Sequence, residues 1–359
     1  MRIRFQSFIH ILRNNQLWII ALAWLFVQLL LFSRFGFISD FEGAKYQLDA
    51  RTFLATGSIM PERLFYGLYI LIIALAIKSG FGIAAVFGVQ LILNARATYC
   101  FYRMLKKLIP GGLTAMAGTL LLVFTIPFQM WNLHLFTESL FLSVLILLVS
   151  RLFIYGIPSL KNALIISVLF LALSFLRPTG VLLLAPISVY IWIMRKEWQI
   201  KFLIPIIVSV LLVLSANLIF ATSYLQEYIV LARENNWVVW KNEAFPAIGS
   251  YPELLATRAF YYFAMTRPYF SDMHNLLMMS FYPVYLLALI GIPLFWKQNK
   301  AEFLFTAVWI FTLSIFSIAT FLNWHARFIT PLLPFFILMA AFGIKNLTIR
   351  LKGTPESTT

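Results

Sequence analysis

The chain has 359 residues, of which 62% are hydrophobic, 17% aromatic and only 11% charged, with a mean hydropathy of +0.88. Those proportions exclude a soluble globular domain and describe a polytopic helical membrane protein. The net charge of +15 does not point to nucleic acid, because sixteen of the 28 Lys and Arg residues fall in short loops and tails that the positive-inside rule puts on one side.

Arg2, Arg4 and Arg13 flank the start of the chain, before the first apolar run, Leu17–Ser33. Arg34-Phe35-Gly36 follows it in place of a small-residue cleavage site, so the run reads as an uncleaved signal anchor. The next stretch, SDFEGAKYQLDARTFLATG (Ser39–Gly57), holds Asp40, Glu42 and Asp49, three of only thirteen acidic residues. Carboxylates are costly beside a bilayer core, so such a cluster marks a candidate site. A solvated loop whose acids offset Arg34, Lys45, Arg51 and Arg63 would have the same composition.

Leu64–Ile77 is apolar for only fourteen residues, which suits an interfacial or re-entrant helix better than a span. Nine further runs follow: Ile83–Tyr102, Leu113–Trp131, Ser139–Ile157, Asn162–Leu176, Thr179–Met194, Phe202–Thr222, Leu276–Trp296, Phe303–Leu322 and Phe328–Ile344. With the anchor they give ten expected spans and two cytoplasmic termini. This parity places Arg103, Lys106, Lys107, Arg151, Lys161, Arg195, Lys196, Lys201, Lys297, Lys300, Lys345, Arg350 and Lys352 with the N-terminal arginines on the cytoplasmic side. It also requires a break at Arg177-Pro178, which proline chemistry supports. The expected domain is a single bundle over residues 1–352, with a first outer loop at 34–82, a long outer loop at 223–275 and a disordered tail at 353–359.

On the outer face, the acids of the first loop and Glu138 are expected opposite the cations Arg177, His325 and Arg327. A carboxylate there can act as general base on an acceptor hydroxyl, and arginine can clamp a departing phosphate. Other roles stay open: Glu138 as a cap of the helix it begins, Arg327 as a snorkelling residue, and Arg177 as a donor to carbonyls freed by Pro178. Cys100 is the single cysteine, and His10, His134, His274 and His325 lack metal-ligand spacing, so no metal or other cofactor is implied.

The order of these features resembles the GT-C superfamily of membrane glycosyltransferases. It is most similar to family 39, which includes protein O-mannosyltransferases and lipid A aminoarabinose transferases. The resemblance rests on Asp40/Glu42, Tyr46, Ala50 and Gly57, then LFYGLYILIIALAIKSGFG (Leu64–Gly82), TESLF (Thr137–Phe141), RPTG (Arg177–Gly180) and HARFITPLLP (His325–Pro334). It implies an all-α GT-C-like bundle with an outer-face interfacial helix. It further implies inverting transfer of a sugar from a polyprenyl-phosphate carrier to a glycan, lipid or protein acceptor at the outer face, in a bacterial inner membrane. By that resemblance an acid of the first loop is the base. Asp40 ranks first by residue type, whereas Glu42 stands at the family's spacing, four residues before Tyr46. Arg327, Arg177, His325 and Arg63 are the expected phosphate partners, and Glu138, Tyr46 and Asp49 form the acceptor region. A lipid-linked sugar flippase or other transporter and a non-catalytic glycan-assembly subunit are the alternatives.

Overall fold

A computed structural model describes residues 12, 14–194, 204, 206–215, 251–267, 270–320 and 327–351. Among these residues the chain is helical, and the strand-like contact is an isolated parallel bridge between Ile38 and His134. The first half contains α1 (Gln16–Phe35), α2 (Glu42–Thr56), α3 (Gly67–Lys78), α4 (Gly82–Leu108), α5 (Gly112–Phe124) and α6 (Ile126–Gln129). It continues with α7 (Thr137–Tyr155), α8 (Leu160–Leu176), α9 (Leu184–Met194) and α10 (Ile206–Ser215). The second half contains α11 (Tyr251–Phe263), α12 (Asp272–Met279), α13 (Tyr282–Gln298), α14 (Lys300–Thr320) and α15 (Leu333–Leu351).

The all-helical, multi-pass architecture is as expected, but the described residues do not hold ten spans. Among them six helical stretches are long and apolar enough to cross a bilayer, or up to eight if two bent pairs each form one span. The bends lie between α2 and the Pro61–Lys78 stretch (117°), and between α5 and Ile126–Leu133 (64°). Leu160–Leu176, Pro178–Met194 and Ile206–Ser215 are shorter apolar helices, the first two divided at Pro178. Apolar run length overcounts because prolines and breaks cut these runs into pieces shorter than the hydrocarbon core.

The interfacial helix is corrected too. α3 is not a surface helix: it packs on α2, α4 and α8, with Tyr69, Ile70 and Ile73 fully buried. Shortness was a poor guide to exposure, because a helix wedged inside a bundle needs no bilayer-spanning length.

The core runs the length of the bundle, and α7 lies at its centre, its spanning stretch 83% buried. α13 and α15 form the most extensive helix pair. Their backbones meet at two glycines: a Cβ on Gly291 would fall 2.0 Å from the Met339 carbonyl oxygen, and one on Gly343 2.0 Å from that of Leu287. Small residues at membrane helix interfaces permit this approach. Gly343→Ala must therefore push the helices apart. The expected loss is about 1–3 kcal/mol, as for other overpacked cores, read as a lowered thermal midpoint in detergent.

A buried polar network braces the second bend. Gln28 and Asn132 both donate to Gln129 Oε1, at 2.9 and 3.1 Å, and Ser139 donates to Asn132 Oδ1 at 2.7 Å. Gln90 donates to the carbonyls of Asn132 and His134, each at 3.0 Å, and accepts from the Tyr69 hydroxyl at 2.9 Å. At the break itself Thr125 donates to the Leu121 carbonyl at 2.6 Å and Gln129 to that of Leu122 at 3.1 Å, satisfying backbone that Thr125–Pro127 leaves outside the helical ladder.

Charge is partitioned between the two ends of the bundle. At one end Lys107 donates to the Ile154 carbonyl, Arg151 to Asn162 and Lys345 to Gln298. The other end, about 28 Å away along the nineteen residues of α7, carries Glu42, Glu138, Arg177 and Arg327.

Candidate functional site

Four chain segments meet at that second end. The stretch before α2 is tied to the stretch before α7 by Ile38 N–H donating to Leu133 O and Leu135 N–H donating to Ile38 O, both at 2.8 Å. Gly43 then lies against Leu135, where a Cβ would come within 3.2 Å of the Leu135 carbonyl oxygen. This seam brings the first turns of α2 and α7 together, and with them Glu42 and Glu138.

Between Asp40 and Glu42 the chain turns sharply. Phe41 has φ +50°, the single non-glycine residue with positive φ among the described residues. Such a conformation is unusual for a bulky side chain and stores strain. Its consequence is a separation of the two acids. Asp40 is exposed and does not line the cleft described below, whereas Glu42 does.

The charges form an alternating ladder, Glu42–Arg327–Glu138–Arg177. Arg327 donates from both Nη atoms to both Glu42 oxygens, the Nη1–Oε1 distance being 2.6 Å. Its Nε donates to Glu138 Oε1. Arg177 Nη1 lies 2.6 Å from the same Glu138 oxygen. Glu138 is 1% exposed and Arg177 6%, so both are deep, whereas the Glu42 side chain retains 37% of its exposure. Burial disfavours the charge on Arg327, but Glu138 and Glu42 more than offset this and hold it above the ordinary arginine value. Nearby His134 is held below its ordinary value by burial, against the opposing pull of its hydrogen bond to Met130 O and the charges of Glu138 and Asp40.

These partners settle the alternatives left open for three residues. The Glu138 carboxylate goes to two arginines and accepts from the neighbouring Thr137 hydroxyl at 3.4 Å, while the N-cap position of α7 is held by Phe136. Arg327 is clamped by two carboxylates and does not snorkel. Arg177 is the residue at the C-terminal boundary of α8 and points its guanidinium at Glu138.

A cleft of about 250 Å³ opens beside the ladder, lined by Glu42, Lys45, Tyr46, Arg63, Tyr66, Arg177, Pro178, Thr179, Phe316, Arg327 and Phe328. Four cations and one partly exposed carboxylate therefore share a space worth about eight waters. Asp49 is outside this lining and pairs with Arg63 at 3.4 Å, aligning it along the cleft wall. The expected residues Glu42, Arg327, Arg177, Arg63 and Tyr46 are thus brought to one cavity, with Glu138 directly behind it. His325 and most of the 223–275 loop lie outside the described residues.

Sequence reasoning missed Lys45, Tyr66, Thr179, Phe316 and Phe328 as lining residues. Tyr66 and Thr179 sit inside motifs that were singled out, LFYGLY and RPTG, and adjacency to those motifs was the available signal. Among the described residues no three His, Cys, Asp or Glu side chains group as a candidate metal site. No family model matches this chain, and no curated protein matches it in sequence.

Proposed function

We propose that the chain is an inverting glycosyltransferase that moves a sugar from a polyprenyl-phosphate carrier to a glycan, lipid or protein acceptor. The observation that carries this reading is the cleft itself: a half-exposed carboxylate, Glu42, facing Arg63, Arg177 and Arg327 at the mouth of an apolar bundle. In the reaction an acceptor hydroxyl attacks the anomeric carbon from the face opposite the phosphate, and Glu42 takes its proton. The anomeric C–O bond breaks, and its electron pair leaves on the phosphate oxygen. Arg327 and Arg177 offset the charge that develops there. Placement in the cleft favours Glu42 over Asp40 as base.

The basic end of the bundle belongs in the cytoplasm by the positive-inside rule, which puts the cleft at the outer face, the periplasmic side of a bacterial inner membrane. An apolar carrier fits a charged cleft at the end of an apolar bundle, because its lipid portion can stay in the bilayer while the phosphate reaches the arginines.

The test is reconstitution in liposomes with polyprenyl-phosphate-linked sugars, followed by analysis of the products. Sugar transfer with inversion of the anomeric centre is expected. Arg327→Ala should lower donor use by about a hundredfold or more, on the scale of a lost transition-state charge partner. Lysine should restore little, because a point charge cannot replace a bidentate fork. Movement of the intact lipid-linked sugar across the bilayer without transfer would replace this reading with that of a flippase.

A further inference from the structure

On the charged wall of the cleft Glu42, Arg177 and Arg327 are held in ion pairs, but the Thr179 hydroxyl on its neutral wall has no partner. Thr179 is 8% exposed, lines the cleft, and its buried Oγ1 has no hydrogen-bond partner. A buried hydroxyl without a partner is unfavourable and uncommon in a folded protein, so one on a residue that lines a cavity calls for an explanation. Tyr46 and Tyr66 line the same cleft, and no hydrogen bond among the described residues engages either hydroxyl.

Their rings, by contrast, are held in place. Tyr46 and Tyr66 pack at 5.7 Å, and Tyr46 meets Tyr69 edge-on at 5.2 Å. Tyr69 is fixed in turn by its hydrogen bond to Gln90. Three residues that carry a hydroxyl able to donate and accept, Tyr46, Tyr66 and Thr179, therefore line the cavity with two phenylalanine side chains, Phe316 and Phe328.

We infer that Thr179 and Tyr66 are specificity-determining residues that read the hydroxyl groups of the transferred unit, a single polyol ring, while the arginines hold its phosphate. The inference rests on the glycosyl-phosphate reading above and adds to it. Charged groups in this cleft recognise what every carrier shares; the neutral hydroxyls recognise what distinguishes one sugar from another. A site built to hydrogen-bond a substrate hydroxyl discriminates strongly against an analogue that lacks it, because its own polar groups are then stranded.

The experiment uses full-length protein in lipid nanodiscs, with inorganic phosphate and a panel of hexose and pentose 1-phosphates as probes. Thr179→Val and Tyr66→Phe remove one hydroxyl each at nearly constant shape. Each is expected to weaken the best-bound sugar phosphate by about tenfold, the scale of one hydrogen bond, and to leave inorganic phosphate unchanged. Thr179→Val should unfold at the same temperature or higher, since it removes an unpaired polar atom. If wild-type protein prefers a sugar phosphate and both variants keep the full preference, the assignment of these hydroxyls is overturned while the wider reading stands. If wild-type protein binds neither phosphate nor any sugar phosphate, the wider reading falls first and takes this inference with it. A large loss of stability in Thr179→Val would likewise overturn it, by making the hydroxyl structural.

Discussion

Glu138→Ala is expected to destabilise the protein by about 3–5 kcal/mol, the cost of breaking a buried ion pair from one side. The carboxylate is 1% exposed and sits between Arg177 and Arg327, so its removal leaves Arg177 without its anion and Arg327 with Glu42 alone. Arg177 suffers more from this loss, because at 6% exposure it is little solvated and Glu138 is its one ion-pair partner among the described residues, whereas Arg327 keeps Glu42. Glu138→Gln should destabilise less, since the amide oxygen can still accept one hydrogen bond. Glu42→Gln should destabilise least, because its carboxylate is 37% exposed and a pair that open to solvent contributes about 0–1 kcal/mol. Thermal unfolding of the three variants in detergent gives the ranking. Equal midpoints for Glu138→Ala and Glu42→Gln would mean that the inner pair is as solvated as the outer one.

That ranking reflects how the site is built, and the same burial explains what could be read from sequence. Glu42, Glu138, Arg177 and Arg327 are rare charges in an apolar chain, and each flanks an apolar run, so their convergence at one end follows from alternating helix direction. Their pairing does not follow, because it depends on the seam between Ile38 and Leu135 that draws α2 against α7. The separation of Asp40 from Glu42 was also hidden, since a phenylalanine gives no warning of the positive φ at Phe41. Spacing to Tyr46 marked Glu42, whereas preference by residue type marked Asp40; the spacing agrees with the cleft. The helices themselves were legible as apolar runs, but their lengths were not. The break at Pro178 was legible from proline chemistry, whereas the one near Pro127 bends a run that composition leaves continuous. Thr179 and Tyr66 carried no signal of their own, because an unpaired hydroxyl is a property of the cavity around it.

Glu42→Gln is expected to lower sugar transfer by about two to four orders of magnitude, the usual contribution of a positioned general base. The same substitution should tighten the binding of inorganic phosphate. In the resting cleft both Glu42 oxygens take the Nη atoms of Arg327, while Nε is committed to Glu138. A phosphate can reach that guanidinium only by competing with one of the two carboxylates. Glu138 is buried and shared with Arg177, so Glu42 is the one that yields. Glutamine competes poorly because it carries no charge, and phosphate affinity rises. In the wild-type protein the exchange has a second effect: the carboxylate oxygens that Arg327 held are released to accept the proton of the acceptor hydroxyl. Donor binding therefore frees the group that the acceptor requires, and donor should bind before acceptor. Phosphate titrations of wild-type and Glu42→Gln protein in nanodiscs, set beside their transfer rates, test both halves. A variant that loses transfer and also loses phosphate affinity would show that Glu42 organises the anion site instead of occupying it. One that keeps full transfer would return the base to Asp40 or to a residue outside the cleft.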